Sequence, residues 1–281
     1  MRADLHNHST ASDGTETPDA VVRRAVAVGL DVLALTDHDT LAGHRQAAVD
    51  LPPGLILLPG TELSCRMNGH SVHVLAYLFD PENETLAGEM AELRESRLFR
   101  AKAMVDKLAA LGVPVTWEQV SEMAAGGVVG RPHVARAMIE AGVVGSIDEA
   151  FTPRWIGPGG RAHVARYALD PVKAIRLVAA AGGVTVLAHA RGDARGWLIP
   201  DDVIGDFATA GLTGLEVYHP QHDERERARL SQLAASLHLV ASGGSDDHGS
   251  LTGFRLGSEV APDGSYQALV EHATGASPVR R

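Results

Sequence analysis

Asp31-Val-Leu-Ala-Leu-Thr-Asp-His-Asp39 is the stretch from which the rest of the chain can be read. Its apolar run is too short for a helix and does not alternate with polar residues, so it predicts a strand buried on both faces over Asp31–Leu35. Upstream, Thr17-Pro18 opens a helix that runs to Val28, with Thr as N-cap, Pro in the first turn and Gly29 as the stop. Before it, Arg2–Leu5 is a short strand candidate. Downstream come a helix over Leu41–Val49, a strand over Leu55–Leu58 stopped at Pro59-Gly60, and a fourth strand over Val72–Leu78. Short apolar strands alternating with helices imply a parallel sheet, open or closed into a barrel.

The rhythm breaks between residues 84 and 170. Leu86–Leu111, Glu118–Ala125 and Pro132–Glu140 have helical periodicity and are joined by Gly-rich turns, so residues 84–170 read as a mostly helical insertion or lid. The strand–helix alternation then resumes. Helices are expected over Pro171–Ala181, Pro200–Ala210, Asp223–Leu237 and Ser265–Ala273, and strands over Val184–Ala188, Gly214–Val217 and Leu239–Ser242, before a tail ending Arg280-Arg281. The organisation expected is an α/β barrel of residues 1–83 and 171–281, interrupted by the insertion.

Composition narrows the class. The chain has 281 residues, 45% of them apolar, and a formal net charge of −10. It can bury a large core, and its acidity argues against stable binding to duplex nucleic acid or to anionic lipid. No apolar run approaches the ~20 residues of a membrane helix. The N-terminus, MRADLHNHS, lacks an apolar leader, and Cys65 is the only cysteine, both of which suit the cytoplasm. Lysine is scarce, at three residues, whereas there are 14 histidines.

Those histidines gather, with carboxylates, at or near the ends of the expected strands. His6 and His8 follow the first; Asp37, His38 and Asp39 the second; Glu62 the third. His73 lies in the fourth, and His189, His219 and Asp246-Asp247-His248 follow the last three. In a parallel barrel these ends share one face, where such barrels carry their active sites. Residues two apart in extended chain point to the same side, so His6/His8 and Asp246/His248 are paired like metal ligands. Nitrogen and oxygen donors suit Mn²⁺, Zn²⁺, Fe²⁺ or Mg²⁺. His44, His70, His163, His238 and His272 read as surface or helix positions without a role in the site.

The motifs Asp4-Leu-His-Asn-His-Ser9, Ser12-Asp-Gly14, Thr36-Asp-His-Asp39, Pro59-Gly-Thr-Glu62, His73-Val-Leu, Ala188-His189 and Gly243-Gly-Ser-Asp-Asp-His248 together resemble the PHP (polymerase and histidinol phosphatase) superfamily. The resemblance implies a distorted (β/α)7 TIM-like barrel that hydrolyses phosphoesters with two or three divalent ions, manganese being the first expectation. It is strongest to stand-alone phosphoesterases that act on nucleoside 3′,5′-bisphosphates or trim RNA from its 5′ end. Carried over by position, it implies three metal sites: His6, His8, Glu62 and Asp246; Asp13, His38 and His248; and Glu62, His73 and His189. Asp13 stands where some relatives have histidine. Asp37, Asp39 and Asp247 are expected to orient the ligands.

Arginine recognises phosphate bidentately, which directs attention to Arg131 and His133 in the insertion and to Arg191 beside His189 as substrate contacts. His219, with His222 as competitor, is the candidate to protonate a leaving oxygen. The partner expected is a small phosphorylated substrate, a nucleotide or a short RNA 5′ end. The alternatives are a histidinol-phosphate phosphatase, an amidohydrolase (none of the three lysines falls at a strand end to carry that chemistry) and a metal-binding module without catalysis.

Overall fold

Val32–Leu35 is strand β2, and all four of its side chains are buried. Alternation of side chains across the strand explains why. Leu33 and Leu35 meet Val21, Val22 and Ala25 of helix α1 (Pro18–Ala27) and Ala47 of helix α2 (Ala42–Val49). Val32 and Ala34 face inward, together with Ala3 of β1 (Ala3–Asp4) and Leu5. The computed structural model describes residues 1–192 and 198–281. Thr17 caps α1 by accepting a hydrogen bond from the Ala20 N–H, with Pro18 in the first turn.

Seven strands follow one another in chain order around a nearly closed barrel. β3 (Ile56–Met67) pairs with β4 (His70–Tyr77); β5 (Val184–Leu187), β6 (Gly214–Tyr218) and β7 (Val240–Gly243) complete the sequence. The two ends are joined by backbone bonds: Leu5 N–H to Gly243 O at 3.3 Å, Asp246 N–H to His6 O at 2.8 Å and His8 N–H to Asp247 O at 3.0 Å. Ile56 and Leu58 of β3, Leu75 and Tyr77 of β4, and Val184 and Val186 of β5 fill the interior at spacing two.

Two expectations about this barrel are corrected. β3 does not stop at Pro59-Gly60 but runs on to Met67. Pro59 lies opposite Leu35, where β2 ends, so its missing N–H is tolerated. Gly60 is needed for close approach, since a Cβ there would lie 2.7 Å from the Tyr77 ring. The sheet is also not wholly parallel: β4 runs antiparallel to both β3 and β5. The cause is a two-residue turn at Asn68-Gly69, both with positive φ (50° and 83°), between paired Met67 and His70. Asn-Gly is the strongest short hairpin signal a sequence carries. Because β4 is reversed, its early residue His73, not its C-terminal end, faces the site.

The insertion carries α3 (Glu84–Ala110), α4 (Trp117–Met123), α5 (Arg131–Glu140) and the short α6 (Ile147–Ala150). Met104, Leu108, Val120, Val134, Met138 and Ile156 pack in a cluster that draws only on residues 101–164. Leu86, Met90 and Leu93, at the start of α3, instead join the barrel's outer core. Beyond it, α7 (Pro171–Ala180), α8 (Asp201–Thr209), α9 (Glu224–Ser236) and α10 (Ser265–His272) cover the second half of the barrel. The tail is not loose: β8 (Val279–Arg280) pairs with β3. No helix among the described residues is long and apolar enough to cross a membrane.

His44 on α2 is buried, and its Nδ1 has no hydrogen-bond partner. Burial, with Arg45 adding to it, pulls its pKa down from 6.5 to about 4. Below pH 6.5 the unfolded chain therefore takes up a proton that the folded chain refuses, and stability falls as the pH drops toward 4. The loss approaches about 3 kcal/mol at the acid end. Urea unfolding at pH 7 and pH 4.5 should show His44→Leu losing less stability between the two than the parent; equal losses would mean that His44 does not titrate there.

Candidate metal centre

Strand ends bring nine side chains together: His6, His8, Asp13, His38, Glu62, His73, His189, Asp246 and His248. Glu62 is the hub. Its Oε2 lies 3.4 Å from His6 Nε2, 3.2 Å from His8 Nε2 and 3.2 Å from His38 Nδ1. Its Oε1 faces His189 Nε2 at 3.1 Å and also meets His73 Nδ1. Asp246 Oδ1 lies 3.5 Å from His6 Nε2 and 3.4 Å from His8 Nε2. Asp13 collects His248 Nε2 at 3.3 Å and His38 Nε2 at 3.7 Å. The residues that the resemblance singles out as ligands thus gather around one carboxylate.

Whether this arrangement fits metal ions can be judged from its unsatisfied atoms. Nε2 of His6 and Nε2 of His8 are buried and have no hydrogen-bond partner, although carboxylate oxygens face them. On His6 the other nitrogen is engaged, with Nδ1 lying 3.0 Å from Glu216 Oε1. A carboxylate there accepts a hydrogen bond from Nδ1–H and leaves the Nε2 lone pair directed at the cluster, the arrangement that metal-binding histidines use. His248 is set up in the same way, with Nδ1 at 3.1 Å from Asp246 O and Nε2 toward Asp13. The donor set fits hard or borderline divalent ions.

Electrostatics point the same way. Burial opposes charge on His6, but Glu216, Asp246 and Glu62 outweigh it and push its pKa well up. His8, also opposed by burial, is driven to about 10 by Asp246, Glu62 and Asp13. Burial would raise the carboxyls, yet the surrounding histidines hold Asp13, Glu62 and Asp246 well below the usual range. Burial and Arg97 together hold His38 low. Three ionised, buried carboxylates require positive charge beside them, which protons on His6 and His8 or metal cations can supply.

A second layer fixes the first. Asp37 accepts from Ser9 N–H (2.8 Å), Ser9 Oγ (2.7 Å) and Ser12 Oγ (2.7 Å), which shapes the loop that carries Asp13. Asp39 accepts from Ser64 N–H (2.8 Å), Ser64 Oγ (2.7 Å) and Arg97 Nε (2.7 Å) and so pins β3 beside Glu62. Asp247 accepts from Arg255 N–H at 2.7 Å and meets Arg24. Asp39, His189 and Asp246 all have positive φ (58°, 30° and 48°), strained backbone gathered at the site.

Glu216, in the middle of β6, was not singled out from the sequence. It is fully buried, and besides His6 Nδ1 it accepts from the His189 N–H at 2.6 Å. The signal was there: a lone acid inside the apolar strand Gly214-Leu-Glu-Val-Tyr218, beside a register shift in the ladder. His219, the expected proton donor, accepts on Nδ1 from the Gln221 N–H at 3.1 Å and turns Nε2 to Asp246 Oδ2 at 3.3 Å. His222, the competitor, is committed on both nitrogens, to Val217 O at 2.9 Å and to the Arg191 N–H at 3.2 Å.

The expected substrate contacts divide. Arg191 is turned away: its guanidinium meets Ile199 O and Asp201 and lies 3.5 Å from Glu226, so it serves the barrel's own segments. Arg131, at the start of α5, lies over the Phe151 ring at 4.9 Å. His133 is buried, and its Nδ1 accepts from the Gly130 N–H at 3.0 Å. Gly130 joins this corner to the centre, since a Cβ on it would lie 3.4 Å from Arg97 Nη1 and 3.8 Å from Asp13 Oδ2. Around Arg131 the fold also gathers Arg66, Arg97, Arg100 and Arg166, which act on one another electrostatically. Sequence reading missed these four because they come from three separate parts of the chain, Arg66 on β3, Arg97 and Arg100 on α3, and Arg166 before α7.

The comparisons with known proteins agree with this geometry. The model of the PHP domain matches residues 4–114. The 5′-3′ exoribonuclease Rnm of Salmonella typhimurium is 33% identical over 262 residues, covering 92% of this chain and 88% of that protein. A 3′,5′-nucleoside bisphosphate phosphatase of Chromobacterium violaceum is 33% identical over 252 residues, 87% of this chain and 86% of that one. Among solved structures, a protein of Bifidobacterium adolescentis assigned as a metal-dependent phosphoesterase superposes with a TM-score of 0.90 at 34% identity, over 97% of this chain and 96% of that one.

Proposed function

The chain belongs to the PHP family and is a metal-dependent phosphoric ester hydrolase; from that premise we propose that its substrates are nucleotides. It removes the 3′-phosphate from nucleoside 3′,5′-bisphosphates and trims short RNA from a phosphorylated 5′ end. The observation that carries this reading is the junction at Gly130, where the carboxylate–histidine centre adjoins a cluster of guanidiniums. One phosphate at the centre and a second at the arginines is the charge pattern of a nucleotide with two phosphates. The relatives named as a bisphosphate phosphatase and an exoribonuclease support it.

The ligand assignment follows the three groups above: His6, His8, Glu62 and Asp246; Asp13, His38 and His248; Glu62, His73 and His189. Divalent ions held there, Mn²⁺ foremost, would polarise the phosphoryl oxygens and make water acidic enough to attack at neutral pH. Glu62 supplies an oxygen to each side of the cluster. His219 holds Asp246 through Oδ2 and leaves Oδ1 directed at the histidines. Arg131, assisted by Arg97 and Arg100, receives a second phosphate, and His133 offers Nε2–H from a site where burial keeps the ring neutral. Residues 84–170 act as the substrate-recognising insertion.

The test is phosphate release from adenosine 3′,5′-bisphosphate by protein reconstituted with Mn²⁺. Release is expected, and Arg131→Ala should raise KM about tenfold, the loss of one charge-assisted contact, with metal content unchanged. Release from histidinol phosphate but not from the bisphosphate would replace this reading with the sugarless one.

A further inference from the structure

After His248 the chain folds back onto the metal centre. Thr252 Oγ1 accepts from the His248 N–H at 2.8 Å and lies 3.2 Å from Asp247 Oδ1, which accepts from the Arg255 N–H at 2.7 Å. The return passes through Phe254, which has φ 56° and a ring that is more than half exposed. A bulky side chain at positive φ is an outlier, kept only where its surroundings over-determine it. Here the Arg24 guanidinium lies over the ring, 5.5 Å from its centroid, and Arg24 also meets Asp247. The next side chain, Arg255, turns to Asp246.

One nitrogen of Arg255 makes two contacts. Its Nη2 donates to Asp246 O at 2.6 Å and stands 3.5 Å from Asp246 Oδ2. The same carbonyl faces Nδ1 of His248 at 3.1 Å, so the guanidinium is linked to His248 through a shared acceptor. On the carboxylate, Arg255 and His219 Nε2 (3.3 Å) lie on the Oδ2 side. Oδ1 lies 3.5 Å from His6 Nε2, 3.4 Å from His8 Nε2 and 3.5 Å from His248 Nδ1. The inward pose leaves Arg255 Nε buried with no hydrogen-bond partner among the described residues. An unmade buried N–H bond is unfavourable and water would have satisfied it; what the pose gains is the hold on Asp246.

We infer that Arg255 is a positioning residue of the metal centre: its cation holds the Oδ2 side of Asp246 and keeps Oδ1 turned to the histidines, so that this ligand offers a metal one oxygen in a fixed place. The inference rests on the assignment of Asp246 as a ligand. Freed of the guanidinium, the carboxylate can rotate, and its carbonyl keeps only the His248 ring as a side-chain partner, so the placing of a ligand beside His6 and His8 is lost. Because a single nitrogen makes both contacts, and no two-pronged fork is engaged, the point charge of lysine can stand in for it.

The experiment compares Arg255→Gln and Arg255→Lys with the parent. Chelator competition gives the Mn²⁺ affinity without substrate, and rates on adenosine 3′,5′-bisphosphate at saturating Mn²⁺ give kcat and KM. Arg255→Gln should bind Mn²⁺ about tenfold or more weakly and, with metal saturating, lower kcat about tenfold while changing KM less than about twofold. Arg255→Lys should recover most of both losses. A role confined to steadying the loop would not produce this split between kcat and KM. A raised KM at parental kcat would make Arg255 a substrate contact, and parental affinity and kcat in Arg255→Gln would leave it a loop residue. Either result overturns the inference, as does a lysine variant no better than the glutamine one. Parental Mn²⁺ affinity in Asp246→Asn would instead remove the ligand assignment on which the inference rests. Mn²⁺ binding by the parent without phosphate release would sink the nucleotide reading and leave Arg255 to be judged by the chelator measurement alone.

Discussion

Glu62→Gln is expected to lower kcat/KM by at least about a thousandfold, a loss of about 4 kcal/mol in transition-state stabilisation, and to strip the purified protein of at least one metal ion. The position explains the size. Glu62 faces five histidines, with His6, His8 and His38 on the Oε2 side and His73 and His189 on the Oε1 side. Glutamine preserves the shape but turns one of those oxygens into an N–H donor, which cannot bind a cation, and removes the charge that the histidines enclose. Added metal should not restore the rate, because a donor is missing and not merely misaligned. Without their carboxylate the surrounding histidines can give up protons, so far-UV dichroism and cooperative unfolding should survive. Metal analysis and initial rates on adenosine 3′,5′-bisphosphate decide the matter. More than a tenth of the parental rate at full metal content would mean that Glu62 does not bridge.

What could be seen in the sequence is what lies close together along it. The His6/His8 and Asp246/His248 pairs, the Thr17-Pro18 helix start and the unbroken apolar strands are local patterns, and each predicted an element or a side chain that the fold places at the barrel mouth. The direction of β4 was also local, written in Asn68-Gly69, but the Pro59-Gly60 pair looked like the stronger stop. Only the neighbouring strands show that proline is harmless at the end of the β2 ladder and that glycine is needed against Tyr77. Arg191 misled because closeness to His189 in the chain is not closeness in space: its side chain leaves the mouth for Asp201. The arginine cluster was invisible for the opposite reason, since residues 66, 97, 100, 131 and 166 come from β3, α3, α5 and the segment before α7.

Glu216→Gln should weaken metal binding about 10- to 100-fold, the usual cost of disturbing a residue that orients a ligand, while leaving a rate that excess metal brings back. Glu216 receives two donors, Nδ1–H of His6 and the backbone N–H of His189. A carboxylate satisfies both, and the surrounding histidines, against the cost of burial, keep it ionised with a pKa of about 2. Glutamine has one acceptor oxygen. If that oxygen keeps the His189 N–H, which steadies a residue at φ 30°, the amide NH₂ faces His6 Nδ1. His6 must then accept on Nδ1 and carry its proton on Nε2, the nitrogen that points at Glu62 and Asp246. The lone pair on the metal side is lost without moving a ligand. Chelator competition with Mn²⁺ measures the affinity, and the rate at saturating metal separates the two variants: recovery for Glu216→Gln, none for Glu62→Gln. Equal affinity in parent and Glu216→Gln would show that the His6 tautomer is set by the metal and not by β6.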